Sequence, residues 1–209
     1  MLNFATEEEI FSKGCGLLGA IDEAGRGPLA GPVVAAAVLI RPDFIFNQEK
    51  FKLIRDSKKL SESQREEAYC LIMEEFPEVG VGWCDHQTID RINILQATFL
   101  AMKKALGALK GRPDLVIVDG KFKIPNISQD QRAIIRGDAT VFSIAAASII
   151  AKVTRDRMMR KFHEEYPAYD FAQHKGYGTK MHLEKIREHG PSPIHRLSFA
   201  PLNADFLVK

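Results

Sequence analysis

Residues 19–40 read GAIDEAGRGPLAGPVVAAAVLI. A short apolar run ends in adjacent carboxylates, a turn rich in glycine and proline follows, and a second apolar run rich in small and β-branched residues comes after it. Apolar runs of this length on either side of turn signals read as two neighbouring strands. What stands at the end of the first run is the unusual part. Asp22 and Glu23 lie side by side and are followed, after Ala24, by Gly25, Arg26 and Gly27. Two neighbouring negative charges at the end of an apolar strand repel, so something cationic has to offset them.

Strands and helices alternate outward from this stretch. In LSESQREEAYCLIMEEF (residues 60–76) Ser61 is followed three residues later by Gln64, a capping box that predicts the start of a helix. VGVGWCD (79–85) reads as a strand. NILQATFLAMKKALGAL (93–109) then places Leu95, Phe99, Met102, Leu106 and Leu109 on one helical face. DLVIVDG (114–120) is a buried-strand pattern stopping at Asp119 and Gly120, and AIIRGD (133–138) repeats it with a glycine before Asp138. The run from Val141 to Tyr166 begins with small apolar residues on all sides, as expected of a buried helix. A shorter helix is predicted from about Thr179 to His189, closed by GPSP. The alternation indicates an α/β fold, with a main domain over residues 1–165 and a mostly helical C-terminal extension over 166–209 packed on it.

Composition sets the frame. With 209 residues, 45% hydrophobic and 27% charged, the chain is that of an ordinary globular protein with one core. The start, MLNFATEEEIF, is acidic where a signal peptide is basic, and VVAAAVLI and SIAAASIIAK fall short of the roughly 20 residues of a membrane span, so a cytoplasmic location without membrane attachment is expected. Cys15, Cys70 and Cys84 form no CxxC pair, which suits a reduced compartment. A net charge of +2 does not by itself indicate nucleic acid. Basic residues do cluster, however, at Lys50, Lys52, Arg55, Lys58 and Lys59, and again from Lys152 to Lys161. The six histidines include no HExxH, and His182 and His189, seven apart, have no cysteine near them, which sets zinc aside. The last eight residues, LNADFLVK, are apolar enough to dock on the protein itself or on a partner, self-docking being the expectation.

Three strand-like runs thus end in carboxylates beside a glycine: Asp22 with Glu23, Asp119, and Asp138. Open α/β sheets place reacting groups at strand ends. One such aspartate alone reads as a turn or helix cap, whereas four carboxylates together call for hard divalent cations, Mg²⁺ or Mn²⁺, which take oxygen ligands. Adjacent strand residues face opposite ways. The bend must therefore start at about Glu23, or one of the pair must act through its backbone carbonyl.

The chain resembles the type 2 ribonucleases H in seven segments from about Leu18 to Phe199: GAIDEAGRGPLAGPVVAAAV, DSKKLSESQRE, IDRINILQATFLAM, VDG, RGDATVFSIAAASIIAKVTRD, QHKGYGTKMHLEKIREHGPSPIHR and a final SF. The resemblance implies an RNase H-like fold, a mixed sheet flanked by helices, with Asp22, Glu23, Asp119 and Asp138 as catalytic metal ligands. Asp156 competes for the fourth place but sits deep in a helix, where a surface ion pair is expected. The implied substrates are RNA/DNA hybrids and duplex DNA holding single ribonucleotides, cut by two-metal in-line displacement to 5′-phosphate and 3′-hydroxyl ends. The implied protein is a monomer. RNA differs from DNA at the sugar only in the 2′-hydroxyl. By resemblance, Gly25, Arg26 and Gly27 contact that group and the adjacent phosphate, and Tyr177 reads the step from ribonucleotide to deoxyribonucleotide. Lys58 and Lys59 resemble phosphate contacts, solvated lysine being an equal alternative for Lys59. Ser143 and Ser148 are read as packing, with support of the site from the buried helix as the alternative, and His174 and Lys175 as shaping the loop that carries Tyr177, with approach to substrate as the alternative.

Overall fold

The structure is a computed structural model that describes residues 2–203. A five-stranded mixed sheet has the order β3-β2-β1-β4-β5. Strands β1 (Leu18–Ala24), β2 (Val33–Ile40) and β3 (Glu78–Cys84) are antiparallel neighbours, while β4 (Leu115–Asp119) and β5 (Asp130–Ile134) add in parallel beside β1. This is the RNase H-like α/β fold expected from the sequence.

Helices cover both faces, so the central strands are apolar on both sides. Ala20, Ala36, Val38 and Ile117 face a cluster built on helix α5 (Phe142–Glu165), to which α1 (Ala5–Ser12) and α2 (Glu62–Glu75) add. Ile21, Ala35, Ala37, Val116 and Val118 face α3 (His86–Gly107) on the other side. The period of two along each strand sorts these sets. Helix α3 lies directly on β3: a Cβ at Gly80 or Gly82 would collide with the carbonyls of Ala105 or Ala101, which explains the alternating glycines of VGVGWC.

The predicted boundaries differ in two places. Helix α3 begins at His86 rather than Asn93, capped by Asp85. It kinks at Asn93 (φ 64°), whose side-chain oxygen accepts from the N–H groups of Leu95 and Gln96 and restarts the helix. Strand β5 ends at Ile134, so Asp138 lies not at a strand end but in the one-turn helix α4 (Gly137–Thr140), entered through a left-handed Arg136. The capping box of Ser61 and Gln64 is present as predicted.

Helix α5 is tied at its start by Glu7 of α1. This carboxylate is wholly buried and accepts from the N–H (2.8 Å) and hydroxyl (2.7 Å) of Ser143, a helix cap supplied from the other end of the sequence. After α5 the chain forms α6 (Phe171–His174) and α7 (Lys180–His189), and residues 192–196 return to pack along residues 29–31. No helix among the described residues is long and apolar enough to cross a membrane. The docking expectation for the tail falls mainly on 204–209, which lie outside the described residues.

Candidate active site

The site forms where the sheet loses a strand. β1 stays paired with β2 as far as Ala24 and Val34, but its parallel pairing with β4 stops at Ile21 and Val118. Asp22 therefore stands level with Asp119, the last residue of β4, and Glu23 overhangs it. The strand does not bend at Glu23, contrary to the sequence-based expectation. The bend starts at Gly25 (φ 96°). The two side chains leave opposite faces and still border one opening, because no strand beyond β4 separates them. A pocket of about 200 Å³ is bordered by Asp22, Glu23, Asp119, Asp138, Lys58 and Tyr177.

All four carboxylates thus meet at one place. Asp119 ends β4, and its Oδ1 accepts the N–H of Asp138 at 3.3 Å. Two cations already touch the group: Lys58 Nζ lies 2.8 Å from Asp138 Oδ2, and Arg26 Nη1 lies 3.1 Å from Glu23 Oε1. Burial is the main influence pushing the Asp22 carboxyl well above its usual range. The charges of Glu23 and Asp119 push the same way, while the Ser148 hydroxyl and the Glu23 N–H (2.7 Å) oppose. Burial also raises Glu23, against Arg26, and raises Asp119.

Oxygen donors alone, crowded and partly dehydrated, suit a hard divalent cation and not a soft one. Among the described residues, no three acidic, His or Cys side chains converge as a ready-made cage. Asp138 is paired with Lys58 and Glu23 with Arg26, so the side chains would have to turn inward around an ion. The donor chemistry fits, and the fit depends on that adjustment.

The other predicted residues divide. Gly25 is buried, while Arg26 and Gly27 are exposed beside the pocket. Tyr177 is 43% exposed, and a Cβ on Gly27 would sit 3.8 Å from its ring, so the turn and the tyrosine form one rim. Lys58 reaches the carboxylates. Lys59 does not; its Nζ is 4.0 Å from Asp56 and it lines a separate cavity of about 540 Å³ together with Lys52 and Arg55. Ser148 is more than packing, since it lies against Asp22 and its hydroxyl is 3.1 Å from that of Ser57. Asp156 is not on a helix surface. It is 3% exposed and pairs with Lys152 (2.8 Å) and, more loosely, with Arg65 (3.9 Å), because that face of α5 packs beneath α2.

Sequence reading missed Arg155 and Arg196, both fully buried beneath the Gly25–Gly27 turn. Their only signal was position within the matching segments. His182 and His195 were also unremarked as a pair, although His174 was expected to shape the Tyr177 loop. His174 does so: its Nδ1 accepts from Gly176 N–H, and its Nε2 lies 2.7 Å from the Tyr169 carbonyl. His182 holds the Tyr177 carbonyl through Nδ1 (2.9 Å), and its Nε2 meets His195 Nε2 at 3.0 Å. Burial lowers His182 and His195 to about 4.

A pH dependence follows. A histidine whose pKa is lower folded than unfolded takes up protons first in the unfolded chain. Its stability contribution is complete above the unfolded value near 6.5 and declines as pH falls toward 4. Thermal melts are expected to show a falling Tm from about pH 6.5 downward, with His195→Gln showing a shallower slope. An unchanged slope would remove this histidine from the acid response.

A mixed sheet with four carboxylates around the end of its paired central strands defines the protein as an RNase H-like nuclease. A sequence model of the family described as Ribonuclease HII matches residues 18–202. The chain is 48% identical over 200 residues to the ribonuclease HII of Endomicrobium trichonymphae, covering 96% of this chain and 93% of that one. It is 53% identical over 189 residues to that of Chlorobium luteolum, covering 90% and 89%. Among solved structures, the ribonuclease HII of Archaeoglobus fulgidus, determined in complex with PCNA, superposes with a TM-score of 0.74 at 26% identity, covering 92% of this chain and 97% of that one. The chain belongs to the ribonuclease HII family and is a type 2 ribonuclease H.

Proposed function

We propose that this endonuclease, which as a ribonuclease HII cuts RNA in RNA/DNA hybrids, also incises duplex DNA on the 5′ side of a single embedded ribonucleotide. We further propose that Asp22, Glu23, Asp119 and Asp138 hold the Mg²⁺ or Mn²⁺ it uses. The observation that carries this reading is the shared pocket: the four carboxylates, Gly25 and Tyr177 line it together, and Gly27 adjoins the Tyr177 ring. A ligand set and a sugar-reading edge thus face the same few ångströms of substrate.

Bound there, two such ions supply the charge that activates a water and stabilises a leaving 3′-oxygen in line at phosphorus. The protein does the rest. The Glu23 N–H orients Asp22, Ser148 lines the pocket beside it, and the Asp138 N–H orients Asp119. Lys58 neutralises Asp138 before substrate arrives and is placed to turn to a phosphate once the carboxylate has another partner. Lys59, with Lys52 and Arg55, offers a positive wall for backbone phosphates, which position a duplex without reading its sequence. The exposed Tyr177 ring offers a face on which a sugar can stack. In this reading the enzyme works as a monomer in the cytoplasm.

The test is cleavage of a DNA duplex containing one ribonucleotide, with Mg²⁺, Mn²⁺ or EDTA, and identification of the product ends. Metal-dependent incision 5′ of the ribonucleotide, leaving 3′-hydroxyl and 5′-phosphate ends, is expected. Hybrids cut while this duplex stays intact would remove junction recognition. Tyr177→Ala in the same assay is expected to lower kcat/KM at the single ribonucleotide by roughly 10-fold more than on long hybrids, the worth of one lost stacking contact. Equal losses on both substrates would rule out a junction role.

A further inference from the structure

Two buried arginines hold the turn that precedes the substrate pocket. Arg196 donates to the carbonyls of Gly25 (2.6 Å), Arg26 (3.1 Å), Pro28 (2.8 Å) and Gly31 (3.0 Å). Arg155 donates to those of Ala30 (3.1 Å) and Pro32 (3.0 Å). Six carbonyls within eight residues therefore accept from two guanidinium groups, and neither arginine has a carboxylate partner within salt-bridge distance among the described residues. Burial lowers both, Arg155 to about 10 and Arg196 to about 9, which leaves them charged at neutral pH.

The geometry has a consequence at the outer surface of the turn. In a trans peptide unit the C=O of one residue and the N–H of the next point in opposite directions. Drawing the carbonyls of Gly25 and Arg26 inward onto Arg196 turns the N–H groups of Arg26 and Gly27 outward. Neither N–H has an acceptor among the described residues, and both residues are exposed beside the carboxylate pocket. Two successive donors are thus presented to the solvent side, backed by two buried positive charges. One nitrogen of Arg155, Nη1, is itself buried without a partner, so the positive charge beneath Gly25 is incompletely compensated. A lone pair of a sugar hydroxyl or a phosphate oxygen is the kind of acceptor this arrangement favours.

We propose that Arg196 and Arg155 are positioning residues for ribose discrimination: Arg196 fixes the peptide planes of residues 25–27 through the Gly25 and Arg26 carbonyls, and Arg155 backs Gly25 and holds the chain at Ala30 and Pro32, so that the Arg26 and Gly27 N–H groups meet the substrate sugar and phosphate. This rests on the reading of that turn as the sugar-contacting element. Arginine is required because its planar fork reaches several carbonyls at once, whereas a lysine ammonium is a compact point donor.

The test compares wild type with Arg196→Lys, which keeps the charge and loses the fork. The substrates are duplexes with one ribonucleotide or one 2′-O-methyl ribonucleotide, and a long hybrid. Each protein is assayed for kcat and KM below its own Tm. Arg196→Lys is expected to raise KM for the single ribonucleotide about 10-fold or more, the cost of misplacing two hydrogen bonds, and to shrink the preference for ribose over its 2′-O-methyl form by a similar factor. Ile186→Val, buried in a separate cluster with Leu29 and Leu202, controls for destabilisation and is expected to lower Tm without moving that preference. An unchanged preference in Arg196→Lys would overturn the proposal. Wild type that accepts both sugars equally would instead overturn the sugar-contact reading on which it rests. If Arg196→Lys is unfolded at the assay temperature, Arg155→Lys, which removes the guanidinium packed beneath Gly25 as well as its bonds to Ala30 and Pro32, decides by the same comparison.

Discussion

Asp22→Asn is expected to reduce hybrid cleavage by roughly a thousandfold, about 4 kcal/mol of transition-state stabilisation, and at the same time to raise the Tm measured in EDTA. The two effects have one cause. Asp22 is 4% exposed and sits beside Glu23 and Asp119, so its charge is unfavourable in the folded protein unless a cation neutralises it. The sign is fixed by the raised carboxyl: a folded pKa above the unfolded one means that the ionised group costs stability, increasingly as pH rises through the unfolded value. Asparagine has the same shape, keeps an oxygen for the Glu23 N–H, and removes the charge. It therefore relieves the empty protein and weakens the metal-holding one. Wild type should gain Tm on adding Mn²⁺, and the variant should gain much less. Hybrid binding, which the proposed reading assigns to the basic surface and the turn, is expected to persist. Normal turnover in Asp22→Asn would end the assignment of this carboxylate as a metal ligand. A lowered Tm in EDTA would show that the repulsion is not what the burial indicates.

Gly25→Ala is expected to damage stability and cleavage together. Gly25 has φ 96°, a region that costs an alanine about 1–2 kcal/mol. The new Cβ would also fall on the Arg155 side chain and 2.7 Å from the Pro32 carbonyl oxygen. Arg155 cannot step aside, because it is fully buried and bonded to Pro32 and Ala30. Strain and overpacking together amount to about 2–5 kcal/mol. The turn would also lose the geometry that presents its N–H groups, so incision at a single ribonucleotide should fall by more than roughly a hundredfold, as a displacement of about 1 Å can do. Gly14→Ala is the control: φ is 92° there too, but nothing lies within 4 Å of the added carbon. It should cost only the backbone strain and leave cleavage unchanged. A Gly25→Ala protein that matches Gly14→Ala in both stability and activity would show that the turn moves freely.

Asp22 and Gly25 are legible in the sequence to different degrees. Asp22 was visible as a charge where an apolar strand ends. Gly25 was visible as a turn residue, but its collision with Arg155 joins positions 130 residues apart and leaves no local pattern. The same holds for Ser148, read as packing because a serine among alanines in a buried helix has no distinguishing neighbour, although its helix turn faces Asp22. Lys58 and Lys59 are adjacent in sequence, yet one reaches Asp138 and the other a separate basic cavity, because they lie in a short 3₁₀ turn that points them apart. The start of α3 was misplaced for a local reason that sequence did carry: Asp85 caps one segment and Asn93 the next, and the apolar periodicity marked only the second.

What the sequence by itself determined was the alternation of strands and helices, the apolar faces that stack them in layers, and the four carboxylates beside their turns. These follow from periodicity, capping and turn chemistry, which act over a few residues. Only the tertiary structure decided that β4 ends two residues short of the end of β1, so that Asp22 and Glu23 open on one pocket from opposite faces of a regular strand. It alone placed Arg155 and Arg196 under the Gly25–Gly27 turn. The reason is physical: sheet register and the burial of a guanidinium are set by packing among segments far apart in the chain, and no local preference of the residues involved encodes them.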